Sequence, residues 1–108
     1  MPHQITLTAE LQLSPQIELA AGLAAINQFC ADMRREPGCS FAYAMQDGQD
    51  ERRLILWERY VDRHAQQAHF DAAHTQAFIA AGIATLVSVT EGRLLGADFV
   101  DARNGGPQ

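Results

Sequence analysis

The sequence predicts one α+β domain whose elements follow in the order βαββαβ. Three observations predict it: polar–apolar alternation in residues 4–13, an apolar stripe of helical spacing in residues 19–33, and two strand patterns in residues 40–61 followed by a second helical region. This order is the split βαβ arrangement called ferredoxin-like, with a four-stranded antiparallel sheet and helices on one face. We assign residues 1–100 to the domain and expect residues 101–108 to form a polar, disordered tail.

The first strand and the first helix differ clearly in period. In the strand, apolar side chains at every second position share one face: Ile5, Leu7, Ala9, Leu11 and Leu13. Ser14 and Pro15 then predict an N-cap and a first helical position. The helix stripe, broadened by Ala20 and Ala24, consists of Leu19, Leu23, Ile26, Cys30 and Met33. Pro37-Gly38 is predicted to end this helix.

The next two strands are predicted to form a hairpin. Phe41, Tyr43 and Met45 alternate with small residues, and Asp47-Gly48 marks a turn. The third strand, residues 54–61, has two apolar faces, one with Leu54, Leu56, Glu58 and Tyr60, the other with Ile55, Trp57, Arg59 and Val61. Both faces are therefore expected to be covered, one by helices and the other by a second copy of the chain.

The last third of the chain is predicted to hold two helical segments and a strand. Asp62 is the expected N-cap of a helix that reaches about Ala72. A further helical segment is predicted at about residues 75–86, and a last strand at residues 87–100. Gly92 and Gly96 are the expected bulge or bend points of that strand.

Composition excludes several classes of function. The net charge is −5 and all eight basic residues are Arg, which argues against nucleic-acid binding. No apolar run approaches the roughly 20 residues that span a bilayer, and no secretory signal is evident. Cys30 and Cys39 then fit reduced thiols in a cytoplasmic protein. Motifs for dinucleotides, nucleoside triphosphates and serine hydrolases are also absent.

Three histidines repeat every five residues: His64, His69 and His74. Successive members lie about 140° apart around an unbroken helix, so they do not share one face. We therefore predict no metal site, although a helix break near Ala72 or Ala73 would bring His69 and His74 together. His64 is expected to be solvated.

Two interpretations stay open for each of the polar and aromatic residues in the middle region of the chain. His69 is either a histidine at the edge of the core or a proton-transfer group in a pocket between helix and sheet. Glu58 is either paired structurally, with an Arg or a helix terminus, or a pocket carboxylate whose pKa is raised. Tyr43, Trp57 and Tyr60 either line a cavity for a flat aromatic ligand or simply fill the core.

These residues together resemble the antibiotic biosynthesis monooxygenase (ABM) domain family, over about residues 4–99. The resemblance is carried by Glu36-Pro37-Gly38-Cys39, Phe41-x-Tyr43, Trp57-Glu58-Arg59-Tyr60, Ala65, His69-Phe70 and His74. It implies a dimeric α/β barrel, in which two sheets pack face to face, with a cavity between each sheet and its own helices. Glu58 matches the family's strand-three glutamate, and His69 and His74 match its helix-two histidines. Haem cleavage is disfavoured, because the tryptophan that haem degraders carry near His69 is missing.

The resemblance implies a cofactor-independent monooxygenase that acts on a small electron-rich aromatic such as a quinol. His69 is the expected base and Glu58 orients it or binds a substrate hydroxyl, with His74 as a third catalytic candidate. The expected substrate-binding residues are Trp57, Tyr43, Tyr60 and Phe70. Two alternatives are a proton-shuttling isomerase of a small hydroxy-carbonyl compound, and a non-catalytic dimeric binding module whose cavity is closed by Phe70 and Met45.

Overall fold

The computed structural model describes residues 4–95. The elements are β1 (Ile5–Leu13), α1 (Leu19–Arg34), β2 (Cys39–Gln46), β3 (Arg53–Tyr60), α2 (Arg63–Asp71), α3 (Ala73–Ala80) and β4 (Ala84–Gly92). The strands form one antiparallel sheet in the order β2-β3-β1-β4. The ferredoxin-like α+β fold is therefore confirmed, whereas the predictions for Gly96 and for residues 101–108 concern positions outside the described range.

The two faces of the sheet have different surroundings. On the inner face, which packs against the helices, β1 buries the four residues Leu7, Ala9, Leu11 and Leu13, as its alternation predicts. The inner face of β3 is buried as well and carries Leu54, Leu56, Glu58 and Tyr60. The outer face carries large side chains that are exposed in the single chain: Phe41, Tyr43, Met45 and Trp57.

The first helix begins later than the sequence predicts. Its N-cap is Glu18, and Gly22 N–H donates to the Glu18 carbonyl in the first turn. Ser14 instead donates its N–H to the Ile83 carbonyl, and its hydroxyl accepts from Gln16 N–H in a local turn. This tie to the segment before β4 keeps Ser14 at the end of the sheet, so the predicted N-cap there is wrong.

The stripe of α1 is also corrected in part. Ala20 and Ala24 are exposed and do not broaden the buried face, whereas Gly22 and Phe29 belong to it. Cys30 and Cys39 are both buried free thiols, as predicted. None of the helices in residues 4–95 is long and apolar enough to span a membrane.

The boundary between α3 and β4 lies earlier than predicted. α3 ends at Ala80 because Gly82 adopts a positive φ of 64°, a conformation that ends helices. Leu86 therefore belongs to β4, which pairs with β1 from Ala84 onward. The register shift of this pair lies at Val87, between the partners of Glu10 and Leu11, and not at Gly92, which pairs regularly with Thr6. Apolar runs of this length fit helix and strand equally well from sequence alone.

Candidate active site

A cavity of about 330 Å³ lies between the helices and the inner face of the sheet. Its walls are mostly apolar, and Phe29 of α1 stacks on Phe78 of α3 with ring centroids 4.2 Å apart. The half-exposed Leu86 and Val89 of β4 form the side that no helix covers. Four polar or charged side chains also line it: Glu58, Gln66, His69 and Thr75.

Glu58 projects from β3 into this cavity and is 7% exposed. Its Oε1 accepts a hydrogen bond of 2.6 Å from the Tyr60 hydroxyl, two residues along the same face. Burial raises the pKa of Glu58, against the opposing effects of the Tyr60 hydrogen bond and of His69. Its partner is thus a neighbouring tyrosine and neither an Arg nor a helix terminus. Burial likewise raises the pKa of Tyr60.

A helix break brings His69 and His74 to one point. Ala72 adopts an extended conformation (φ −65°, ψ 145°), which ends α2 and starts α3 in a new direction. His69 Nδ1 and His74 Nε2 then lie 2.8 and 2.5 Å from the same oxygen, Oε2 of Glu36. From the sequence, His69 and His74 are expected to meet only if the helix breaks near Ala72 or Ala73, and the structure has this break at Ala72.

His69 is 4% exposed and is held from several sides. Its ring lies 5.4 Å from that of Tyr60 and 5.3 Å from that of Phe70, and the Thr75 hydroxyl lies 3.3 Å from Nδ1. With an ionised Glu36, whose oxygens only accept hydrogen bonds, this contact requires Nδ1 to be the donor and to carry the ring proton. Nε2 then keeps its lone pair, and within residues 4–95 it has no hydrogen-bond partner.

The loop that carries Glu36 fits closely against α2. Gly38 approaches Ala65 so nearly that a Cβ at residue 38 would lie 2.3 Å from the Ala65 Cβ. Val61 N–H donates to the Gly38 carbonyl, which ties the loop to the end of β3. Two small residues thus let the loop enter far enough for Glu36 to reach both histidines.

An ion pair between α2 and β4 borders the cavity. Arg63 contacts both carboxylate oxygens of Glu91, at 3.0 and 2.7 Å, and also donates to Gln66, which lines the cavity. The Arg63 guanidinium lowers the pKa of Glu91. This exposed ion pair links α2 to β4 beside Gln66.

The structure brings together some of the predicted site residues and separates others. Glu58, His69 and Phe70 line the cavity, and His74 joins His69 through Glu36. Tyr60 is fully buried behind Glu58 and does not line it. Trp57 and Tyr43 lie on the outer face, in a separate groove of about 430 Å³, because alternate residues of a strand point to opposite faces. They do not wall the cavity that holds His69.

Met45 lies on the outer face as well, so it does not close the cavity as the binding-module alternative requires. Phe70 lines the cavity but is nearly half exposed, and leaves it accessible. His64 is exposed, as expected.

Sequence reasoning missed Glu36 as a site residue. Glu36 lies just after Arg35, the C-cap of α1, and precedes Pro37-Gly38, so the sequence pattern assigns it to the end of a helix. Periodicity carries no signal for a side chain in such a loop. The available clue is chemical, because a buried histidine needs a hydrogen-bond partner, and the sequence prediction gives that role to Glu58 on the sheet.

A mostly apolar cavity with a few convergent polar groups is typical of a domain that binds or transforms a small molecule. The sequence model of the antibiotic biosynthesis monooxygenase family matches residues 5–81. This match covers most of the chain, and the chain belongs to that family. No curated protein is a significant match to the chain.

Solved structures agree with the fold. PA3566 from Pseudomonas aeruginosa has a TM-score of 0.77 at 22% identity, covering 89% of this chain and 98% of that chain. Rv0793 from Mycobacterium tuberculosis has a TM-score of 0.72 at 23% identity, with coverages of 85% and 95%. SnoaB, described as a cofactor-independent oxygenase from Streptomyces nogalater, has a TM-score of 0.72 at 11% identity, with coverages of 85% and 93%. At these identities the likeness concerns the fold alone.

Proposed function

We propose that this chain is a cofactor-independent monooxygenase that acts on a small electron-rich aromatic of the quinol type. One observation carries the proposal: His69 is a buried histidine that lines an apolar cavity and is fixed through Nδ1 by the Glu36 carboxylate. A carboxylate behind an imidazole holds its tautomer and stabilises the imidazolium that forms when Nε2 accepts a proton. The family membership and the likeness to an oxygenase of the same fold support this choice of chemistry.

In this proposal His69 Nε2 accepts the proton of a substrate hydroxyl and leaves a phenolate in the cavity. The phenolate supplies the electrons that reduce O₂, so the protein itself provides no redox group. A quinol and O₂ give a hydroxyquinone and water: one oxygen atom enters the ring as a hydroxyl, and the other leaves as water with two hydrogens. Apolar walls such as Phe29 and Phe78 exclude bulk water from the anion.

Glu58 is proposed to bind a second substrate oxygen. Because its pKa is raised by burial, its neutral form persists to a higher pH than that of an exposed glutamate. A neutral carboxyl donates a hydrogen bond, so Glu58 would hold a carbonyl or hydroxyl oxygen while Tyr60 fixes its Oε1.

The size of the cavity restricts the substrate. Ligand pockets generally measure about 300–1,000 Å³, and this one, at about 330 Å³, lies at the small end. It therefore suits a compact aromatic better than a large macrocycle.

We further propose that the outer face pairs with a second copy in a dimeric barrel, in the cytoplasm. Phe41, Tyr43, Met45 and Trp57 are exposed together on this face, and apolar burial favours pairing by about 25 cal/mol per Å². Trp57 and Tyr43 would then lie in the dimer interface and would not contact the substrate.

Oxygen uptake tests the proposed activity. Chelator-treated protein is supplied with a panel of quinols in an oxygen electrode, together with the variants His69→Ala and Glu36→Gln. We expect uptake by the wild type, a loss of about a hundredfold or more in kcat for His69→Ala, and a smaller loss for Glu36→Gln. His64→Ala, which removes an exposed histidine of the same helix, should match the wild type.

Uptake that is unchanged in His69→Ala, or absent with every quinol, would contradict the proposal. Conversion of a hydroxy-carbonyl substrate under argon would instead identify a proton-shuttling isomerase.

A further inference from the structure

Glu36, His69 and His74 form a cluster whose chemistry extends beyond hydrogen bonding. Their ligand atoms all lie within 4.8 Å of one another. The three residues come from three separate pieces of the chain, namely the loop after α1, α2 and α3. Two imidazoles and one carboxylate are a donor set that zinc and other divalent first-row metals bind in proteins.

Glu36 also has an unused oxygen. Its side chain is 12% exposed, and Oε2 accepts from both histidines. Oε1 is buried and, within residues 4–95, has no hydrogen-bond partner in the protein. An unpaired buried carboxylate oxygen is costly, and a bound cation would satisfy it.

The cluster has an accessible side. His74 is 29% exposed, whereas His69 is 4% exposed. Ligand atoms around a tetrahedral zinc ion lie about 3.3 Å apart, given bonds of about 2.0–2.1 Å. The present separations from Glu36 Oε2 are 2.8 and 2.5 Å. A tetrahedral ion bound through Oε2 therefore requires both separations to lengthen by less than about 1 Å, with the two ring nitrogens also about 3.3 Å apart. His74 sits near the start of α3, just beyond the break at Ala72, and its ring centroid lies 6.3 Å from those of Phe29 and His69.

We propose that Glu36, His69 and His74 bind one divalent first-row transition-metal ion, such as Zn²⁺, and that this ion reverses the tautomer of His69. Without the ion, Nδ1 carries the ring proton and Nε2 keeps its lone pair. With the ion, the lone pair of Nδ1 forms the metal bond and the proton moves to Nε2 through solvent. The neutral ring gains and loses no proton overall.

This reversal has a consequence for the cavity. A metal-bound His69 presents Nε2–H, which donates and does not accept. The ion would therefore disable the base described under the proposed function. Only this consequence rests on that function, since metal binding and tautomer are measured without any substrate.

The test is a titration of chelator-treated full-length protein near neutral pH with Zn²⁺ by calorimetry and with Co²⁺ by visible absorption. We expect one ion per protomer, micromolar affinity or better, and the intense absorption of four-coordinate Co²⁺. Glu36→Gln and His74→Ala should each weaken binding by about tenfold or more. His64→Ala, the control that removes an exposed histidine, should bind as the wild type does.

Absence of saturable binding, or equal binding by all four proteins, would overturn the site. Because His74 is partly exposed, His74→Ala should fold even if Glu36→Gln does not, and circular dichroism checks both. Long-range ¹⁵N–¹H spectra of the histidine rings test the tautomer. The His69 proton should be on Nδ1 in the free protein and on Nε2 with Zn²⁺, and a proton that stays on Nδ1 would overturn the reversal.

Discussion

Among single residues, Glu58 combines deep burial with one strong hydrogen bond. Burial raises its pKa, so the folded state binds this proton more tightly than the unfolded state does. Above the pKa of the folded state, the buried carboxylate therefore lowers the free energy of unfolding. Below the pKa of the unfolded state, the group is protonated in both states and this penalty is absent.

Glu58→Gln should accordingly stabilise the protein at neutral and alkaline pH. Gln keeps an oxygen that accepts from Tyr60 but has no charge to bury, so we expect a gain on the order of 1 kcal/mol. The gain should shrink as the pH falls through the folded pKa and vanish in acid below the unfolded value. Urea unfolding at a series of pH values measures it.

Glu51→Gln, at an exposed turn, controls for the loss of one negative charge. A stabilisation by Glu58→Gln that grows toward acid pH would contradict this reading of Glu58.

The two thiols give a second prediction for single residues. Burial raises the pKa of Cys30 to about 11 and also raises that of Cys39. Because the thiolate is the reactive form, neither should react readily with a disulfide reagent near neutral pH in the folded protein. Both should react in urea. Fast reaction of a thiol in the folded protein would show that its burial is incomplete.

For the helices and strands, sequence patterns correctly predict the features that depend on neighbouring residues alone, such as strand faces and helix caps. Alternation places the inner face of β1 correctly, and the Asp62 side chain accepts from Ala65 N–H as the predicted N-cap of α2. The start of α1 and the end of α3 are different, because a contact between Ser14 and Ile83 and the positive φ of Gly82 decide them. Such long-range or conformational causes leave no periodic signal.

The candidate site follows the same division. Glu58 and His69 attract notice in the sequence because they interrupt apolar patterns, and both line the cavity. Glu36 is not predicted from the sequence, because its contacts with His69 and His74 depend on how closely the loop after α1 approaches α2. Residue type alone predicts Trp57 and Tyr43 as site residues, although strand alternation already places Trp57 on the face opposite Glu58.

The close approach of Gly38 to Ala65 makes a prediction for the loop and α2. Gly38→Ala would place a Cβ 2.3 Å from that of Ala65, which forces the loop and the helix apart. We expect a loss of about 1–3 kcal/mol of stability, typical of overpacking. Gly48→Ala is the matched control, since a Cβ there meets no atom within 4 Å. Urea unfolding of both variants measures the difference, and equal stabilities would contradict the proposed packing.

For the whole molecule, the sheet separates two surfaces. The inner face and the helices enclose the cavity with His69, whereas the outer face exposes Trp57 and its large neighbours. Trp57→Glu should convert the proposed dimer to a monomer, because pairing two copies would bury two like charges. Sedimentation velocity measures this, with Ala20→Glu on the exposed side of α1 as control. A wild type that sediments as a monomer would contradict the dimer.

The most direct measurement of where chemistry takes place is a methyl-labelled NMR titration with a quinol under argon, which prevents turnover. We expect saturable shifts at Leu56, Leu86 and Val89, whose side chains line the cavity with His69. His69→Ala should weaken these shifts, and methyl signals remote from the cavity should stay unchanged. Shifts confined to Met45 and its neighbours on the outer face would contradict a site beneath the helices.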